Sequence, residues 1–309
     1  LCNNVPMRAI FAVLAAAICF STTGTSRALA DVDASPLAVG AARILIGGGL
    51  LGIIALIQHH QHRPARSVQT GPLPDWALVS IGAFGVLAYQ PTFFLGTELN
   101  GVAVGTVIAL GSAPISVGLL DGLLHRRLPS RRWLAATALA IAGVALVSGL
   151  VGGHLSSLTP VGIAASVGAG LSYAVYTMAS KELIAHRWQP NDAMGAVFGT
   201  AAVLSLPVLL FAGTAWLATP AGAALALWLG VITTMIAYLL FGWGLARLKA
   251  TTVSTLTLAE PASATVLGVF VLGEQLTASS ILGIIAIALG LTLLALPGRK
   301  EPIDVPTPA

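Results

Sequence analysis

The chain has 309 residues, of which 56% are hydrophobic and only 8% charged, with a formal net charge of +4. Globular domains carry about 25% charged residues, so a soluble chain of this length could not hide so much apolar surface, and lipid must be the solvent. Two cysteines, Cys2 and Cys19, are too few for a disulfide framework, and the pI near 9.4 suggests a nucleic-acid partner only until the basic residues are placed along the chain.

Apolar stretches fall at about 8–29, 36–57, 75–97, 102–124, 132–151, 159–180, 191–213, 221–245, 251–272 and 278–297. A helix of ~20 residues rises ~30 Å, the hydrocarbon thickness of a bilayer. This predicts an all-α integral membrane protein of ten helices. In the first stretch, Arg8, the run Ala9–Phe20 and Ala28-Leu29-Ala30 imitate a secretory signal. Ser21, Thr22, Thr23, Thr25, Ser26 and Arg27 separate that run from the supposed cleavage site, so the segment is read as a retained helix, with Met7 as the natural start. Arg43 lies about one and a half turns into the second stretch, where a guanidinium attracts a substrate carboxylate, pairs with an acid or snorkels to the interface. The second of these makes Arg43 an ion-pair candidate. His59-His60-Gln61-His62 comes next, in a basic loop without acids or thiols, and is read as solvated rather than metal-binding.

The third stretch carries Tyr89, Gln90 and Phe93, and the eighth answers with Tyr238, Phe241 and Trp243. Ser21, Thr22 and Thr23 of the first have Ser172, Tyr173 and Tyr176 of the sixth in the related region. In lipid such hydroxyls and amides need partners across helices or in a wet cavity; each is either glue or cavity lining. Trp76, Trp133, Trp188 and Trp216 at span ends are expected to be interfacial anchors. Asp121 and Glu98 are placed at interfaces, and Glu274 is expected to cap or orient the tenth helix. Glycines such as Gly48 with Gly52, Gly101 with Gly105, Gly118 with Gly122 and Gly149 with Gly153 allow close packing, or sliding during a transport cycle.

Glu260 is the sharpest candidate. It sits near the middle of the ninth stretch, where a charge costs about 2.5–3.5 kcal/mol on insertion scales and so marks a pathway or a satisfied structural acid. Pro261 beside it cannot donate to the helix ladder and is expected to kink the helix and free the Thr257 carbonyl. Pro114 in the fourth stretch is the matching kink candidate, with Ala113 in place of the acid.

With ten spans, Arg8, Arg63, Arg66, Arg126, Arg127, Arg131, Arg132, Lys181, Arg187, Arg247, Lys249, Arg299 and Lys300 all fall on one side. The other side keeps Arg27, alongside Asp31, Asp33 and Glu274. The positive-inside rule then puts both termini in the cytoplasm. The series also restarts half-way. Ser26-Arg27 with Ser35-Pro36 matches Ser180-Lys181 with Gln189-Pro190; Pro114 matches Pro261; Leu124 and Leu128 before Pro129-Ser130 match Leu272 and Leu276 before Thr277-Ala278. Five crossings per half invert one half relative to the other. The units are expected at 7–151 and 159–297, with a mobile cytoplasmic tail at 298–309.

On these residues the chain resembles the drug/metabolite transporter superfamily, in its ten-helix EamA type. Ser35-Pro36 followed by Arg43, Pro114, and Glu260-Pro261 followed by Gly273-Glu274-Gln275-Leu276 carry the resemblance, while His125-Arg126-Arg127-Leu128 departs from it. The resemblance implies export of small metabolites, with amino acids prominent. No P-loop, nucleophile elbow, zinc-protease helix or Rossmann glycine pattern is present. The expectation is therefore a secondary transporter of the inner membrane, working by alternating access on a small polar substrate, without metal, cofactor or nucleic acid. Protons are candidate partners and oligomeric state is open. An intramembrane enzyme on a lipid-linked substrate and a passive channel-like facilitator are the alternatives. Glu260, Ser21, Thr22, Tyr89, Gln90, Phe93, Tyr173, Tyr176, Tyr238 and Trp243 are the expected substrate-binding residues.

Overall fold

The computed structural model describes residues 5–61, 73–126, 128–149 and 158–296. They form ten helices: α1 (Val5–Ala30), α2 (Pro36–Gln61), α3 (Asp75–Asn100), α4 (Val102–His125), α5 (Arg131–Val147), α6 (Pro160–Ala185), α7 (Pro190–Ala212), α8 (Pro220–Leu245), α9 (Ala250–Leu272) and α10 (Ala278–Ala295). Among the described residues nine are long and apolar enough to cross a membrane, and α5 falls just short at 17 residues. Phe84, Phe211 and Phe270 stand exposed on outward faces, as lipid-facing side chains do when hydrocarbon is the solvent. Arg63, Arg66, Arg127, Arg299, Lys300, Gly153, His62 and the side chains of His59 and His60 lie outside the described residues, so the histidine cluster is not placed.

Local chemistry sets the helix limits. Pro opens α2, α6 and α7, where its missing N–H costs nothing. Ser130, Thr159 and Thr277 cap α5, α6 and α10 by accepting from the backbone N–H three residues on. Thr277 thus does for α10 what was expected of Glu274; a hydroxyl on extended backbone reaches its own first turn, and Glu274 instead folds back beside Gly268 of α9. These caps also equate Ser130 with Thr277, one residue from the match read in the sequence. Gly101, at φ 81°, makes the single-residue turn between α3 and α4.

Packing repeats between the halves. α1 lies on α8 and α9 as α6 lies on α3 and α4, while α2 pairs with α7 and α5 with α10. Each equivalence adds five to the helix number, so equivalent helices run in opposite senses. Bare glycines allow these approaches: a Cβ on Gly195 would come within 2.6 Å of the Leu51 carbonyl, and one on Gly143 within 2.7 Å of the Gly283 carbonyl.

Two helices depart from regular geometry beside a cavity that both halves line. α8 contains a π segment, Val231–Ile236, where Thr233 and Thr234 both donate to the Leu229 carbonyl at 2.7 and 2.9 Å. The extra residue per turn re-aims the side chains beyond it, including Tyr238. α9 is interrupted at Thr257-Leu258, just before Pro261. The Thr257 carbonyl is not left free there, because the Glu260 N–H tightens onto it at 2.9 Å. α4, by contrast, runs through Pro114 without interruption.

Of the expected interfacial tryptophans, only Trp76 is exposed. Trp133 is buried, stacked over Gly118 and donating to the Thr251 carbonyl at 2.9 Å; Trp188 donates to Asp75 at 2.9 Å; Trp216 is buried. For Trp133 and Trp188 the indole N–H finds an acceptor between helices, whereas the buried Trp216 N–H has no hydrogen-bond partner among the described residues. Glu98 is exposed, and Asp121 pairs with His125 at 3.0 Å.

Candidate functional site

Helices of both halves enclose a cavity of about 770 Å³, within the range of small-molecule sites. Its mouth is set by the C-terminal ends of α1, α3 and α9 and the N-terminal ends of α2 and α4, with Arg27, Pro36, Thr97, Val102, Leu272 and Glu274 around it. This face is opposite the start of α1. The floor is aromatic. Tyr176 and Tyr238 share a hydroxyl hydrogen bond of 2.9 Å, Tyr173 meets Thr257 at 3.2 Å, and Tyr238 packs 4.0 Å from Phe198. Phe198 and Phe241 are fully buried beneath.

Polar ties close the end below this floor. Lys181 donates to the last carbonyl of α8, Leu245 at 2.7 Å, and to Leu248 in the turn after it at 2.9 Å. Buried His186 meets Asp75 at 2.6 Å, joining the end of α6 to the start of α3. His125 of α4 approaches Glu182 of α6 at 3.2 Å. Arg132 of α5 donates to the carbonyls of Leu293 and Leu296 at the end of α10.

Most of the expected binding residues meet in this one space. Glu260, Ser21, Tyr89, Gln90, Phe93, Tyr173, Tyr176 and Tyr238 all line it. Gly85 explains part of the convergence, since a Cβ there would reach 2.9 Å from the Ser172 carbonyl; without one, α3 brings Tyr89 close to Tyr173 and Tyr176. Tyr89 and Phe93 stack with ring centroids 5.8 Å apart and planes 9° from parallel. Gln90 lies over bare Gly40, one turn before Arg43 on α2.

Two expectations are corrected. Thr22 lies off the cavity, where its hydroxyl donates to the Cys19 carbonyl and accepts from the Trp228 indole at 3.1 Å. Trp243 also lies off it, carrying the Arg247 guanidinium 3.9 Å above its ring. In both cases the helical rotation of ~100° per residue decides: Ser21, Thr25 and Ala28, spaced four and three apart, share the lining face of α1. That spacing is the sequence signal for Thr25, a lining residue absent from the expected set. Phe20 and Thr257 are absent from it as well, because an apolar ring and a helix-break threonine carry no distinctive motif.

Arg43 also lines the cavity and makes no ion pair with a described residue. Its charge and that of Glu260 act on each other, yet their N–O separation exceeds 4.0 Å. The Arg43 Nε is buried without a hydrogen-bond partner. The expected ion pair is therefore not formed: the two residues sit on different helices, both lining the cavity.

The chain is 40% identical over 292 residues to the transporter YwfM of Bacillus subtilis strain 168, covering 94% of each chain. It is 32% identical over 273 residues to the threonine/homoserine exporter RhtA of Salmonella typhimurium strain SL1344, covering 86% of this chain and 84% of that one. A solved crystal structure superimposes with a TM-score of 0.76 at 21% identity, over 93% of this chain and 98% of the other, which bears on the fold alone. The model of the EamA-like transporter family matches twice, over residues 7–149 and 160–296. The chain belongs to the EamA-like transporter family, a multi-pass membrane protein built from two repeats.

Proposed function

We propose that this protein is a secondary carrier that exports small amino acids by alternating access between its two halves. One observation carries the reading: a cavity built by both halves, open at one face and plugged at the other by Tyr176, Tyr238, Phe198 and Phe241. A binding space at the seam of two inverted units is what alternating access requires. Units spanning 7–151 and 159–297 would rock against each other around it. With the basic loops in the cytoplasm, the termini are inside and the open mouth faces outward from the inner membrane, the state from which an exporter releases its cargo. The named activity of the RhtA relative supports threonine-like amino acids as cargo. Glu260 is the receiver of the substrate ammonium and the candidate proton carrier.

Purified protein in liposomes tests this. Saturable counterflow of labelled threonine is the expected result, and Glu260→Gln is expected to lower kcat/KM by about tenfold or more, the scale of one lost charge-assisted contact. Product formation would instead mark an enzyme, and flux that neither saturates nor shows counterflow a pore. Unchanged saturable transport and unchanged pH dependence in Glu260→Gln would remove Glu260 from the site.

A further inference from the structure

We propose that Arg43 and Glu260 act together as a two-ended clamp for zwitterions, Arg43 taking the substrate carboxylate and Glu260 its ammonium. This rests on the cavity being the substrate site, and names the head group that the site selects.

The argument starts from what the fold leaves unsatisfied. An arginine within a membrane span is costly unless its donors are met. Here the buried Nε has no partner, and no carboxylate of the described residues approaches the guanidinium within 4.0 Å. Glu260 likewise makes no side-chain hydrogen bond or ion pair with a described residue, while lining the same cavity. The other charged groups at the cavity are already placed elsewhere. Arg27 donates to the Ala34 carbonyl at 3.2 Å, and Glu274 lies back against Gly268 at the mouth.

Opposite charges that could meet across a low-dielectric space, and are held apart, forgo the attraction that would offset their desolvation. A ligand carrying the complementary charges at its two ends restores both contacts at once. The guanidinium fork suits a carboxylate in a bidentate manner, with N–O distances of about 2.7–2.9 Å. An amine alone would leave Arg43 unsatisfied, and a carboxylic acid alone would leave Glu260 so. Gln90, without a side-chain hydrogen bond among the described residues, lies against Gly40, one turn before Arg43, and lines the same cavity. The Tyr89–Phe93 stack offers an apolar wall for a short side chain.

The test uses matched ligands: threonine, its decarboxylated amine and its deaminated hydroxy acid. Thermal stabilisation of the detergent-solubilised protein reports binding directly, and threonine counterflow in liposomes reports transport. In the wild type, threonine should bind about tenfold or more tightly than either analogue, the scale of one missing charge-assisted contact. Arg43→Gln should weaken threonine by a similar factor while leaving the amine within about twofold, and Glu260→Gln should weaken the amine but spare the hydroxy acid. Arg43→Lys, which keeps the charge without the fork, should fall between; it stands in if Arg43→Gln does not fold. Equal binding of the three ligands by the wild type overturns the clamp, as does an Arg43 variant that weakens threonine and the amine alike. Threonine binding with the clamp's selectivity but no counterflow would leave the clamp standing and remove the carrier reading. Counterflow without that selectivity would do the reverse.

Discussion

Gly48 and Gly49 are adjacent in α2 and have opposite surroundings. A Cβ on Gly48 would press on the Phe198 carbonyl of α7 and the Ala202 side chain, whereas one on Gly49 meets nothing within 4 Å. Gly48→Ala should therefore force α2 and α7 apart and destabilise the protein by about 1–3 kcal/mol. Gly49→Ala should be neutral, or stabilising by about 0.5–1 kcal/mol through helix propensity. Thermal unfolding of the two variants in detergent, under identical conditions, checks the contrast. The spacing of Gly48 with Gly52 was legible in the sequence as a packing motif. Which glycine of the run Gly47-Gly48-Gly49 faces a backbone was not, because that depends on where the partner helix crosses.

At the scale of elements, closure of the lower end depends on polar side chains that reach from one helix end to another. Lys181 is the clearest: two hydrogen bonds from its ammonium fasten α6 to the end of α8 and to the turn that follows it, and bonds from a charged donor are worth about 1.5–3 kcal/mol each. Lys181→Met keeps the apolar stem and removes both bonds. Buried Thr177, one turn deeper in α6, reports the consequence as Thr177→Cys in a background lacking Cys2 and Cys19. Protection from an impermeant thiol reagent applied to the face of the termini is expected with Lys181 present. Labelling severalfold faster is expected with Lys181→Met, and equal rates would mean that the bonds do not hold this end shut. In sequence, Lys181 reads only as a basic residue at a span end, and the sixth stretch stops at 180; the helix runs on to Ala185 because Lys181 and Glu182 find partners on other helices instead of water.

For the whole molecule, the proposed orientation rests on charge sorting. Exposed Asp33 and Gln275 sit at one face and exposed Arg187 and Lys249 at the other. Replaced singly by cysteine in a cysteine-free background, Asp33→Cys and Gln275→Cys should react with an impermeant reagent outside intact cells. Arg187→Cys and Lys249→Cys should react only after permeabilisation. The reverse pattern would turn the cavity mouth toward the cytoplasm and make this shape one that loads, not releases, its cargo.

The sequence by itself determined that lipid surrounds this chain, that its apolar stretches form ten helices, and that the second five repeat the first, because apolar length, charge sorting and loop punctuation are written locally. It also marked Glu260, Tyr89, Gln90, Tyr173 and Tyr238, since a polar group at membrane depth is conspicuous wherever it faces. Only the tertiary structure decided facing. Thr22 turned away while Thr25 turned in, Trp133 was buried between helices, and the π segment re-aimed Tyr238. The separation of Arg43 from Glu260 belongs to the same class: each charge is visible in its own helix, but the gap between them exists only once α2 and α9 are packed, because side-chain direction around a helix axis has no energy until a neighbour gives it one.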